Sequence, residues 1–140
     1  MQHLVFLWHR VELKLLVLEQ GGDRPAQNES WNGTSWSEIS EQNTYRDQSG
    51  GSADSNVSGL IYAGEAPPVT AKTEAWNGTT WTGVGDMGTA RSIGSGGSGG
   101  QSGGASSALG VGGQIAPGAR SALTEEWTAA AFEVKTLTTS

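Results

Sequence analysis

The sequence predicts an all-β chain built from a repeated unit of short strands, and three observations predict it. Residues 29–39 read ESWNGTSWSEI and residues 74–84 read EAWNGTTWTGV, two near-copies that hold four of the six tryptophans. An apolar stretch ending in glycine precedes each copy and recurs a third time: LLVLEQGG to Gly22, GLIYAG to Gly64 and SALGVGG to Gly113. Beyond residue 20, Leu, Ile, Val and Phe number only 14, while the whole chain holds 22 glycines. Such a composition suits thin strands packed closely around a few large aromatics.

The elements follow in order. Residues 1–19 form an N-terminal segment with two possible readings. Val11, Leu13, Leu15 and Val17 alternate as a strand does, whereas Leu4, Trp8, Val11, Leu15 and Leu18 make a helical stripe. Roughly 11–20 reads as a strand, and 1–10 stays open. The first residues carry no Lys or Arg, and Arg10, Glu12 and Lys14 interrupt the apolar run, so neither a signal peptide nor a membrane span is expected. The repeat domain is placed at 20–140. Each apolar strand leads into a proline loop (DRPAQ, EAPPV, QIAPGAR) and then a tryptophan strand. Asn32-Gly33 and Asn77-Gly78 follow, predicted as type I′ hairpin turns because Asn-Gly accepts positive φ at both central positions. A second tryptophan strand comes next, then a Thr-x-Arg turn. Trp31 aligns with Trp76, Trp36 with Trp81, Ile39 with Val84, and Thr44 and Arg46 with Thr89 and Arg91. LTEEW at 123–127 is a third, partial copy; its Trp127 lacks the Asn-Gly turn and the second tryptophan. The tract GSGGSGGQSGG at 94–104 is a flexible linker by composition but a strand and turn by repeat position. The final AAFEVKTLTTS alternates Phe132, Val134 and Leu137 like a closing strand.

Short strands with a glycine doublet and two paired aromatics resemble kelch repeats, each of which is one four-stranded blade of a β-propeller. On this chain the doublet falls on Gly21-Gly22 and Gly112-Gly113, with Ala63-Gly64 in the middle copy. The first aromatic falls on Trp31, Trp76 and Trp127, and the second on Trp36 and Trp81. Trp stands where the family usually has Tyr, and the two aromatics are closer than usual. The WNGTxW phrase is most similar in style to the kelch-like repeats of tailed-phage and marine-virus virion proteins. The resemblance covers about residues 20–127. It implies a structural or binding module, virion-associated or extracellular. A closed propeller has 4–8 blades, and two and a half repeats imply an incomplete or open array that self-associates or joins a larger complex.

Chemistry is sparse in this composition. With no cysteine, disulfides and thiolate metal sites are excluded. Eight scattered Lys and Arg against 14 Asp and Glu leave no nucleic-acid footprint. Both histidines, His3 and His9, lie in the N-terminal segment, and no nucleophile elbow sits between a strand and a helix. No cofactor, metal ligand or catalytic residue is assigned, and the chain is not expected to be an enzyme. Copper chemistry of the galactose-oxidase kind needs a Tyr–Cys crosslink, which Tyr45 and Tyr62 alone cannot form. Glu125 and Glu126 are neighbours on a strand, so they point to opposite faces and read as one solvated charge and one edge charge. The NGT, NES and NVS triplets match glycosylation acceptors, but the turn accounts for Asn-Gly. Arg46 and Arg91 either cover a tryptophan or cap a loop, or meet a ligand at the rim. The expected partner is a protein or a surface glycan, with no nucleic acid or membrane. The competing readings are a carbohydrate-binding or carbohydrate-active propeller, and a partly disordered fragment.

Overall fold

A computed structural model describes residues 2–5, 15–20, 26–99, 104–129 and 133–137, with side chains described over 26–93 and 104–129. The described residues form antiparallel strands and no helix. Sheet 1 holds β1 (Gln2–Val5), β2 (Leu15–Gln20), β3 (Asn28–Trp31) and β4 (Trp36–Ile39). Sheet 2 holds β5 (Gly50–Ser55), β6 (Ser58–Tyr62), β7 (Thr73–Trp76) and β8 (Trp81–Gly83). Sheet 3 holds β9 (Ser92–Gly99), β10 (Ser107–Ala116), β12 (Thr124–Thr128) and β13 (Glu133–Leu137), with the short β11 (Ala119–Arg120) on the far end of β10. In each sheet the strands follow one another as a meander, which short hairpin connections favour.

Three readings left open or partial by the sequence are decided here. Strand β2 (Leu15–Gln20) pairs with β3, so over these residues the strand reading holds and the helical stripe does not. Trp8, Val11 and His9 of that segment lie outside the described residues. The third copy is a full sheet rather than a half: Val134 on β13 lies opposite Trp127, in the place of the missing second tryptophan. Phe132 lies outside the described residues. The Gly/Ser tract begins as a strand, since Gly94–Gly99 belong to β9; residues 100–103 lie outside the described residues, and Gly104 starts the turn into β10.

The Asn-Gly turns differ from the type I′ expectation, and the reason is the asparagine side chain. Trp31 pairs directly with Trp36, and Trp76 with Trp81, so each turn is a four-residue loop. Only Gly33 (φ 99°) and Gly78 (φ 95°) take positive φ within these loops. The Asn32 carboxamide oxygen accepts from Thr34 N and Ser35 N, both at 2.9 Å, and Asn77 does the same for Thr79 N and Thr80 N. The amide nitrogens then donate to Ser35 Oγ and Thr80 Oγ1. Asparagine side chains form such local turns readily. The Asn, the Gly and the closing Ser or Thr of the repeated phrase thus each have a task, and the first Thr supplies its backbone N–H. The indole rings sit 5.2 Å apart in sheet 1 and 5.3 Å apart in sheet 2, with similar tilts of 44° and 41°.

The sheets stack face to face in chain order. Ile61, Trp76 and Trp81 of sheet 2 form one small core, and Ile39 from the end of sheet 1 packs against it. Leu60, Tyr62, Met87, Ala108 and Trp127 form a second core between sheets 2 and 3, with Val84 packed against it. Ile39 and Val84 are the same repeat position, so one stacking rule serves both contacts. Where sheet 2 places Ile61, the strand register gives sheet 3 Gly110. Met87 and Tyr62 close on that glycine, leaving a cavity of about 20 Å3 beside it.

Candidate functional site

The most highly organised polar structure in the chain lies where each connector crosses to the next sheet. Arg46, in the connector between sheets 1 and 2, is fully buried and pairs with Glu74 of β7 at 2.6 Å. Arg91, in the next connector, is equally buried and pairs with Glu125 of β12. The surrounding partners repeat as well. Arg46 Nη1 donates to the carbonyls of Ala63 and Lys72, and Arg91 Nη1 to those of Gly112 and Leu123. Asn43 N donates to Glu74 Oε2 at 2.7 Å, and its counterpart Gly88 N donates to Glu125 Oε2 at 2.6 Å. Burying two charges costs several kcal/mol per ion unless hydrogen bonds complete their shells. The planar guanidinium, with five donors in a fork, suits a carboxylate and two carbonyls at once.

The backbone makes room for this clasp. Gly64 (φ 111°) and Gly113 (φ 99°) occupy equivalent strand ends. A Cβ on Gly64 would lie 2.7 Å from Asp47 O, and one on Gly113 would lie 2.5 Å from Ser92 O, in each case the residue after the clasp arginine. The second glycine of the doublet is therefore a seat for the incoming connector. The first takes positive φ too: Gly112 at 64°, and Ala63 at 60°, where a Cβ costs about 1–2 kcal/mol. In sheet 1 the register assigns Gln20 to the Gly64 position, so the Gly21-Gly22 doublet is shifted two residues along. Both glycines lie outside the described residues.

The two clasps are not equally complete. Glu74 accepts four hydrogen bonds, from Arg46 Nη2, Thr44 N, Asn43 N and Asn43 Nδ2, and Asn43 also donates to Trp81 O. Glu125 accepts from Arg91 Nη2 and Gly88 N, while Arg91 Nε has no acceptor. Burial pushes the Arg46 guanidinium below its ordinary value; the charge and hydrogen bond of Glu74, and the charge of Asp86, oppose that shift. Arginine starts so high that it stays a cation. Replacing Gly88 by asparagine should restore the missing amide donor. The site is open to it: φ is not positive there, and a Cβ would stand 3.4 Å from Glu125 Oε2. The expected gain is about 1 kcal/mol, read as a higher denaturation midpoint.

The residues expected to matter fall into three groups. Arg46 and Arg91 are 0% exposed, so neither offers guanidinium surface to a ligand at a rim; both lock one sheet to the next. Glu125, read as a solvated or edge charge, is buried in a clasp, while Glu126 on the opposite face is half-buried. Trp76, Trp81 and Trp127 are buried, with indole N–H groups donating to Asn56, Ser40 and Ala105 carbonyls. Trp31 and Trp36 depart from the packing expectation: Trp31 is half-buried and Trp36 is 42% exposed. No connector among the described residues crosses their face as 40–46 crosses Trp81. His3 lies on β1 with no side-chain description, and His9 lies outside the described residues. Among the described residues no three of His, Asp and Glu gather to hold a metal ion. No protein-family model matches the chain, and no curated protein is significantly similar to it in sequence.

Proposed function

We propose that the chain is a non-catalytic structural and binding module, a set of kelch-like blades that extends by stacking and presents its loops to a protein partner or a surface glycan. A tail or fibre protein of a virion is the setting that the WNGTxW phrase supports. One observation carries the reading: the Arg46–Glu74 and Arg91–Glu125 clasps use the same backbone partners at equivalent positions. A contact made twice by one rule is the signature of an array in which each unit meets only its neighbours. A further tie between consecutive sheets supports the stacking: Ser52 Oγ of β5 donates to Ser107 O of β10. At one end of sheets 1 and 2 the turns at 32–35, 56–57 and 77–80 are largely exposed, with Val57 at 54%, and these are the surfaces offered to a partner.

Sedimentation velocity over a range of concentrations tests the proposal. Three sheets in an open stack should associate, because end units without polar caps do so. A compact monomer whose mass is independent of concentration would overturn it.

A further inference from the structure

Sheet 1 carries, on the face turned away from sheet 2, a copy of the surface that sheets 2 and 3 use to receive a connector. Alternation along the strands puts Glu29 and Trp31 on one face, as it does Glu74 and Trp76. Trp36 and Glu38 lie directly opposite Trp31 and Glu29 and complete that face. The tryptophan pair is already in the receiving geometry, 5.2 Å and 44° against 5.3 Å and 41° in the occupied sheet. The occupied Trp81 is 6% exposed and donates its indole N–H to Ser40 O, whereas Trp36 is 42% exposed.

Charge points the same way. Glu29 occupies the place of Glu74 and Glu125, each of which holds a buried arginine. It is half-buried, and its carboxylate makes no hydrogen bond or ion pair with a described residue. Sheet 1 adds a second carboxylate. The residue opposite Glu74 is Gly83, but the residue opposite Glu29 is Glu38. Like charges directly across a strand pair are destabilising, and a guanidinium seated between them removes the repulsion.

We infer that this face is a docking surface for the arginine-bearing connector of a further sheet of this repeat type. The two connectors within the chain define its chemistry. Ile39 or Val84 packs on the next sheet's face; Asn43 or Gly88 follows at the fourth position and gives its N–H to the carboxylate; Thr44 or Thr89 comes next; Arg46 or Arg91 closes the pattern at the seventh. Both of these connectors are occupied within the chain, so the partner is another polypeptide segment carrying the pattern rather than either of them. The inference rests on the stacking reading above, yet its test does not require the chain to assemble.

A synthetic peptide with the sequence of residues 39–48, ISEQNTYRDQ, is titrated into the isotope-labelled full chain, and the six indole N–H signals are followed by NMR. The expected result is a saturable shift of the Trp36 and Trp31 signals in the millimolar range, with Trp76 and Trp81 unmoved. A peptide with alanine for its arginine should bind at least fivefold more weakly, and so should the native peptide against a Glu29→Gln chain. Glu29 is outside both clasps, and unchanged Trp76 and Trp81 signals would certify that variant's fold. Equal binding by the alanine peptide, no saturable shift, or a stronger response of the same signals to simple saccharides would each overturn the inference. Peptide binding by a chain that sediments as a fixed monomer would sink the assembly reading alone.

Discussion

Replacing Arg46 by alanine lowers the stability of the chain by about 3–5 kcal/mol, the cost of leaving one partner of a buried ion pair without the other. Glu74 is 2% exposed, and nothing else among its four donors carries a charge. The carbonyls of Ala63 and Lys72 lose a donor at the same time. A domain of this size has a total stability of roughly 5–15 kcal/mol, so the variant stands near the limit of folding. Arg46→Lys keeps the charge but not the fork, and recovers only part of the loss. The decisive comparison is the double variant Arg46→Met, Glu74→Leu. It removes both charges, and buried pairs replaced by apolar groups of similar volume often cost nothing. Urea denaturation followed by tryptophan fluorescence measures all three. A loss below about 1 kcal/mol for Arg46→Ala would mean that solvent reaches the clasp.

Much of this architecture is legible in the sequence, and the parts that are not share one physical cause. The strands flanking Asn32-Gly33 and Asn77-Gly78 are visible because tryptophan, threonine and the turn residues each constrain the local backbone. The strand at 107–113 is visible for a different reason, the recurrence of an apolar stretch that ends in glycine. Arg46 and Arg91 recur at one repeat position, and Glu29, Glu74 and Glu125 at another. Their pairing is hidden because it joins one unit to the next across variable loops: Arg46 precedes Glu74 by 28 residues, and Arg91 precedes Glu125 by 34. A charged side chain also reads as solvated by default, since few are fully buried. The turn type is hidden for a different reason. Asn-Gly alone suggests positive φ at both positions, and only the Ser or Thr three residues after the asparagine signals that its carboxamide organises a longer loop. Gly110 opposite Glu125 marks a gap in the second contact that no local pattern announces.

Trp36 and Trp81 are twins in sequence, and truncating them to alanine should give very different losses. Both close a hairpin of the same phrase, and both stack on a tryptophan across the strand pair at nearly the same distance, 5.2 and 5.3 Å. Local structure therefore predicts equal effects. What differs is the neighbour. Trp81 packs with Ile61, Trp76 and Ile39 and bonds to Ser40 O across the sheet contact, so its removal leaves a cavity in a core and takes one of the two donors from that carbonyl, the other being Asn28 Nδ2. Aromatic-to-alanine changes in such places cost about 3–5 kcal/mol. Among the described residues Trp36 has the ring contact with Trp31, worth about 0.5–1.5 kcal/mol, and no place in a core cluster, so its loss should stay near ~1 kcal/mol. The measurement is denaturation of both variants at a concentration where the chain is monomeric. Raising the concentration of a partner that covers sheet 1 should widen the cost of Trp36→Ala toward that of Trp81→Ala, because a ligand of the native state adds stability that the variant cannot collect. Equal losses in the free monomer would show that burial in this repeat is decided within each hairpin rather than by the sheet that comes before it.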